Sequence, residues 1–114
     1  MTTLYHNPRC SKSREALQLL RDKGIEPDVV LYLETPPDAA TLKGLLKKLK
    51  LKPRELMRQK EAEYQELGLD NADLSDDQLV DAMVRCPRLI ERPILVHGSK
   101  AIIGRPPEQV LEIL

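Results

Sequence analysis

Tyr5-His6-Asn7-Pro8-Arg9-Cys10-Ser11-Lys12-Ser13-Arg14 joins a short strand to a helix, and its reading decides the fold. Upstream, Thr2-Thr3-Leu4-Tyr5 has strand character. Downstream, Ala16, Leu17, Leu19 and Leu20 follow helical spacing until Gly24, a residue suited to the left-handed cap that ends a helix. Cys10 therefore falls at a helix start, where unpaired backbone N–H groups and the positive end of the helix dipole favour thiolate over thiol. Arg9, Lys12 and Arg14 push the same way, as does His6 when protonated. Such surroundings bring a cysteine pKa from about 8.5 to below neutrality. The same N–H groups form an anion site. A nucleophile inside an anion cradle points to chemistry on an oxyanion.

The competing reading of Cys10 is a small buried hydrophobe, the usual fate of a free cysteine. Helix-start position and basic company favour a reactive thiol instead. The motif is Cys-x-x-Ser, so a redox cycle has to take its second thiol from elsewhere. His6 either tunes the thiolate or simply ends the strand. Asn7 shapes the loop, most simply through an Asx turn before Pro8.

Outward from this loop, Gly24-Ile25-Glu26-Pro27 makes a turn, and Val29-Val30-Leu31-Tyr32-Leu33 reads as a buried strand. Strand, helix and strand within about thirty residues is the size of a parallel βαβ unit. Thr35-Pro36-Pro37 breaks the strand, and Asp38 is placed to cap a helix whose apolar stripe is Leu42, Leu45, Leu46 and Leu49. Lys43, Lys47, Lys48 and Lys50 fall off that stripe and read as a solvated face. Pro53 opens a short helix carrying Arg54, Leu56, Met57 and Arg58; the stretch 59–73 is polar and weakly periodic. Ser75-Asp76-Asp77-Gln78 is a capping box for a helix with Leu79, Val80, Met83 and Val84 on its inner face. Ile94-Leu95-Val96 and Ala101-Ile102-Ile103 flank His97-Gly98-Ser99-Lys100 as a β-hairpin. Pro106-Pro107 starts a final helix with Val110, Leu111 and Leu114 expected to face inward.

The order is βαβ, a helical middle, then ββα. Without the middle it is a thioredoxin-like α/β arrangement, a mixed sheet with helices on its faces. The chain of 114 residues is expected to form a single domain, 1–114, with a helical insertion at about 38–86, because both flanks are needed to complete one sheet.

Composition narrows the functions. Apolar residues make up 41% of the chain, ordinary for a globular protein, yet Phe and Trp are absent, so the core must be aliphatic and little is left for stacking bases. Eighteen basic residues balance eighteen acidic ones, so no global field draws nucleic acid or an anionic membrane. No apolar run is long enough for a signal segment or a bilayer span. Two cysteines without a framework fit a reducing cytoplasm. No cluster of His and Cys has metal-site spacing. Cys86-Pro87-Arg88-Leu89-Ile90-Glu91-Arg92 matches the Cys-x5-Arg spacing of tyrosine phosphatases, but it has no Gly and too few N–H groups free to converge on phosphate. Cys86 reads as the end of a helix.

Beyond these physical signals, the chain resembles the glutaredoxin-linked arsenate reductases nearly end to end. Tyr5-His6-Asn7-Pro8-x-Cys10 with Ser13-Arg14 resembles the nucleophile loop, and Leu31-Tyr32-Leu33-Glu34 with Pro36-Pro37 the second strand and its exit. Leu56-Met57-Arg58, Tyr64-x-x-Leu67-Gly68-Leu69, Asp76-Asp77-Gln78-Leu79, Arg92-Pro93-Ile94 and Arg105-Pro106 follow in register. The resemblance is to a branch with Cys-Ser-Lys-Ser-Arg at the nucleophile loop; well-studied members carry Gly-Thr where this chain has Ser11-Lys12.

The resemblance implies that Cys10 attacks arsenate and that Arg58, Arg92 and Arg105 hold the oxyanion, with His6, Asn7, Ser13 and Arg14 tuning the thiolate or shaping its loop. It implies glutathione as thiol co-substrate, glutaredoxin as partner and no bound cofactor. It also implies a cis peptide before Pro93. A monomer is the default expectation. Two other readings belong to different classes: a thioredoxin-fold redox or transcription regulator that binds a protein partner, and a thiol reductase for protein disulfides. Neither needs all three arginines.

Overall fold

A computed structural model describes residues 2–114, which divide into two compact units: residues 2–35 with 92–114, and residues 36–91. The first unit contains the whole sheet. Strand β1 (Thr2–His6) leads through the Cys10 loop into α1 (Ser11–Asp22), and β2 (Asp28–Leu31) returns parallel to β1. Strands β3 (Ile94–His97) and β4 (Lys100–Ile103) come from the other end of the chain. The order is β2-β1-β3-β4, with β1–β3 and β3–β4 antiparallel. This is the thioredoxin-like mixed sheet that the element order predicts.

Register sets the core. Leu4 lies opposite Val29 on one side and Leu95 on the other, and Leu95 pairs with Ile102. Leu4 and Leu95 are fully buried and join Ala16 and Leu20 of α1 and Val110 in one cluster. Helix α1 ends as its sequence dictates: Gly24 adopts φ +78°, its N–H bonds to Arg21 O, and the Ile25 N–H reaches back to Leu20 O. That pattern satisfies the last carbonyls of the helix. Gly98, with φ +62°, turns the hairpin between His97 and Lys100.

The second unit is helical. Helices α2 (Ala39–Leu49), α3 (Pro53–Leu56), α4 (Ala62–Glu66) and α5 (Asp76–Arg85) are followed by a 3-10 turn over Pro87–Leu89. Asp38 caps α2 by accepting the Thr41 N–H at 2.8 Å. Ser75 and Gln78 close their capping box with bonds of 2.8 and 3.2 Å. Leu42, Leu45 and Leu46 of α2 and Leu79, Val80 and Met83 of α5 are buried, and the two helices pack together. Arg54 ties down the polar stretch after α3: its guanidinium donates to Tyr64 Oη, to Leu69 O at 2.6 Å and to Asn71 O at 2.9 Å.

Three local expectations are corrected, and one stretch left without an element gains one. Strand β2 is a sheet edge and ends at Leu31; Val29, Leu31 and Leu33 are exposed, and only Tyr32 of that run is buried. A short apolar run does not reveal whether a neighbouring strand will cover it. Helix α3 ends at Leu56, and Met57 instead bridges to Ile90, leaving Arg58 in extended chain. The 59–73 stretch contains a turn and a half of helix, α4. The last segment, Pro107–Ile113, is a 3-10 helix rather than an α-helix. At three residues per turn Pro107, Val110 and Ile113 share a face, so Leu114 is exposed while Ile113 packs on the core.

Candidate active site

Cys10 is the N-cap residue of α1, with extended backbone, and its side chain is 9% exposed. The loop before it is held by its own polar groups. Cys10 N–H donates to Asn7 O at 3.0 Å and closes a turn over 7–10. Asn7 Oδ1 accepts the Arg9 N–H at 3.0 Å, and Arg14 Nη1 donates to Pro8 O at 2.9 Å. Ser13, fully buried, reaches back from the first turn of α1: its Oγ accepts the Asn7 N–H at 3.1 Å and lies 2.6 Å from His6 Nδ1. The loop before Cys10 and the helix start are thus one hydrogen-bonded piece.

Two arginines distant in sequence meet at the sulfur. Arg105 Nη2 lies 3.7 Å from Cys10 Sγ, and Arg105 Nε donates to Arg92 O at 2.8 Å. The Arg92 guanidinium acts on the same sulfur by hydrogen bonding and by charge. Each of these arginines precedes a proline through a cis peptide, Arg92–Pro93 and Arg105–Pro106; sequence reading singled out only the first.

Gly104 brings the two segments close. Its N–H donates to Pro93 O at 2.8 Å. A Cβ at this position would lie 2.9 Å from Pro93 Cγ and 2.9 Å from Val110 Cγ1, closer than such atoms approach. Any larger residue would force Pro93 and Val110 to shift, and sequence reading missed this glycine. The available signal is its place directly before Arg105-Pro106, in a chain with five glycines.

Electrostatics at the sulfur are a contest that charge stabilisation wins. Burial raises the Cys10 pKa; the Ser13 N–H, the Arg92 guanidinium and the Lys12 N–H lower it, and together they hold it below the ordinary thiol value. The sulfur forms no capping hydrogen bond of ordinary length. The N–H groups of the first turn act on it at longer range, as expected at a helix start. The charged form of His6 is disfavoured here: burial lowers its pKa first, and the charges of Arg21 and Arg14 lower it further. Lys12 acts on the thiolate through its backbone, while its ammonium lies 4.0 Å from Glu15.

Arg58 belongs to the helical unit. Its Nε and Nη1 each lie 3.1 Å from a carboxylate, Glu61 and Glu91 respectively, and its backbone N–H donates to Leu89 O at 2.7 Å. The structure brings Cys10, Arg92 and Arg105 together in the sheet unit; Arg58 is fixed separately by its two acidic partners. Cys86 ends α5 as its C-cap, and the Pro87–Leu89 turn beyond it is 3-10 helix, not a phosphate loop. Among the described residues no group of three or more His, Cys, Asp or Glu is arranged to hold a metal ion. No helix among them is long and apolar enough to cross a membrane.

Comparison with known proteins identifies the family. A family model described as the ArsC family matches residues 5–113. The chain is 64% identical over 112 residues to uncharacterized protein YfgD of Escherichia coli strain K12, covering 97% of this chain and 94% of the relative. It is 52% identical over 112 residues to the arsenate reductase of Haemophilus influenzae, covering 97% of each. Among solved structures, the arsenate reductase from Vibrio cholerae superimposes with a TM-score of 0.98 at 55% identity, covering 99% of this chain and 97% of that one. With a family model matched over residues 5–113 and similarity along nearly the whole chain, this chain belongs to the ArsC family of arsenate reductases.

Proposed function

We propose that the protein reduces arsenate to arsenite with glutathione as reductant and glutaredoxin as the enzyme that resets its cysteine. The observation that carries this reading is the Arg105 guanidinium 3.7 Å from the Cys10 sulfur, beside Arg92 acting on the same atom. Arsenate is tetrahedral and anionic at neutral pH, and guanidinium forks match the edges of such oxyanions.

In the first step the Cys10 thiolate attacks arsenic, an As–S bond forms, and one arsenate oxygen leaves as water after protonation. Arg92 and Arg105 neutralise the oxygens and hold the adduct, and Arg58 is assigned the third guanidinium contact. The N–H groups at the start of α1 supply further anion stabilisation where charge develops. In the second step glutathione attacks the Cys10 sulfur of the adduct. An S–S bond forms while the S–As bond breaks, and its electron pair stays on arsenic. Arsenic passes from the +5 to the +3 state, each sulfur is oxidised by one electron, and arsenite departs with the thiol proton. Glutaredoxin then attacks the glutathione sulfur of the mixed disulfide and frees Cys10 as thiolate. The lone thiol of Cys-x-x-Ser fits this cycle, because both remaining thiols arrive from outside. A reducing cytoplasm is the compartment that supplies them.

The test is arsenate-dependent NADPH oxidation coupled through glutathione, glutathione reductase and glutaredoxin. Turnover should require arsenate, glutathione and Cys10. A rapidly alkylating Cys10 that gives no turnover, with glutaredoxin active on another substrate, would overturn the reading in favour of a different client for the thiol.

A further inference from the structure

We propose that the cavity beside the nucleophile loop is the docking site of the reducing thiol, which it recognises as a zwitterion. The assignment rests on the reaction proposed above and names where its second substrate binds. The cavity, about 240 Å³, lies where the parallel strands β1 and β2 end, and its walls include Pro8, Arg9, Leu31, Leu33 and Glu34. Crevices at the carboxyl ends of parallel strands are the usual ligand sites of open α/β sheets. Its size is a little under the roughly 300–1,000 Å³ of sites for drug-sized ligands, the scale of a short peptide that leaves part of itself in solvent.

Three features define the occupant. Arg9 and Glu34, of opposite charge, line one cavity, and both side chains are exposed. Their hydrogen bonds are made by backbone N–H groups alone, to Asn7 Oδ1 and Leu31 O, and among the described residues neither side chain has an ion-pair partner. Two opposite charges that share a cavity without pairing present an anion site and a cation site at once, the complement of an amino acid or short peptide carrying both carboxylate and ammonium. In the same walls Leu31 and Leu33, 36% and 40% exposed, offer apolar surface for the ligand backbone and methylenes. Finally, the cavity is walled by the loop that precedes Cys10, through His6, Asn7, Pro8 and Arg9. Arg9 is covalently joined to Cys10, about 3.8 Å between Cα atoms, and the turn closed by Cys10 N–H to Asn7 O keeps the loop compact. A peptide seated on Arg9 and Glu34 lies against the loop that leads directly into Cys10. An uncharged thiol has nothing to gain from this site.

The test separates binding from turnover by using S-methylglutathione, which keeps the charges and cannot reduce anything. Titrated into the ¹⁵N-labelled protein, it should shift the amides of Asn7, Arg9 and Leu31 to Glu34. The variants Arg9→Gln and Glu34→Gln should each weaken that binding about tenfold, the effect of losing one charge-assisted bond. In the coupled assay the KM for glutathione should rise about tenfold in each variant while the KM for arsenate stays within about twofold. With 2-mercaptoethanol as reductant the Glu34→Gln variant should match the parent. Wild-type turnover with no shift at these amides sinks the docking site and leaves the reaction standing. Shifts at these amides without arsenate turnover keep the site and sink the reaction. Shifts produced by glutaredoxin but not by S-methylglutathione would make the cavity a protein contact and overturn the proposal, as would equal losses of Glu34→Gln with both reductants.

Discussion

The two cysteines stand at opposite ends of helices, and the contrast between them shows what sets the pKa of a thiol in this protein. Cys10 begins α1 and Cys86 ends α5. Both are partly or largely buried, and burial raises the pKa of each. At Cys10 the first-turn N–H groups and Arg92 overcome that effect. At Cys86 burial prevails, Glu63 adds to it, and the lowering by the Arg88 and Leu89 groups is too small, so the pKa is held above the ordinary value. An arginine close in sequence does not rescue Cys86. Arg88 is drawn to Glu61 at 3.4 Å and Glu63 at 3.3 Å. The arginines that matter to Cys10 are brought from far along the chain and aimed by the fold.

The largest expected effect is on the cysteines themselves. Cys10→Ser should lower arsenate turnover by roughly 10⁴-fold or more, while Cys86→Ser should stay within about twofold of the parent, both read in the coupled assay. A comparable loss in both would erase the contrast. Next come the arginines: Arg92→Ala and Arg105→Ala should each cost about 10²-fold in kcat/KM for arsenate, the scale of one oxyanion-binding group. Arg88→Ala should cost little, because its partners are carboxylates rather than the reacting sulfur. A smaller loss, roughly tenfold in kcat, is expected for Gly104→Ala, where the Pro93 and Val110 side chains must yield to the new methyl group. Unchanged kcat with a shifted melting temperature would reduce Gly104 to a packing role.

The smallest effects sharpen the comparison on a pH axis. A lowered pKa keeps thiolate present as pH falls, so iodoacetamide should label Cys10 below the range where an ordinary thiol stops reacting. The raised pKa of Cys86 confines its labelling to more alkaline solution. Peptide mass spectrometry of a pH series resolves the two. Arg92→Ala should move the Cys10 curve to higher pH and leave the Cys86 curve where it is; coincident curves in the parent protein would contradict the assignment.

Sequence made the local structure around these cysteines readable. The Cys10 helix start, the Gly24 stop, the Asp38 cap and the Ser75–Gln78 box all follow from chemistry within a few residues, and each is found. Long-range geometry was not readable in the same way. Nothing in Val29-Val30-Leu31-Tyr32-Leu33 announces that β2 will be an edge, because coverage depends on which strand lies beside it. The 3-10 period of Pro107–Ile113 differs from α by less than one residue per turn, too little to show in seven residues. Arg92 and Arg105 emerged through family resemblance. Their meeting at the sulfur depends on the Arg105–Arg92 carbonyl bond and on the space that Gly104 leaves, neither of which has a local pattern.

Gly104 also marks where this chain has no room to change. It is not in the left-handed region, so the usual replacement of a turn glycine by asparagine offers no relief; the obstacle is volume, not backbone. Gly44, exposed within α2, is its opposite, with nothing within 4 Å of an added Cβ. Gly44→Ala should stabilise the protein by roughly 0.5–1 kcal/mol, read from the urea midpoint. Any attempt to harden this protein should therefore spend its substitutions on the helical unit, and leave untouched the single missing methyl group that lets two arginine-bearing segments close on one sulfur.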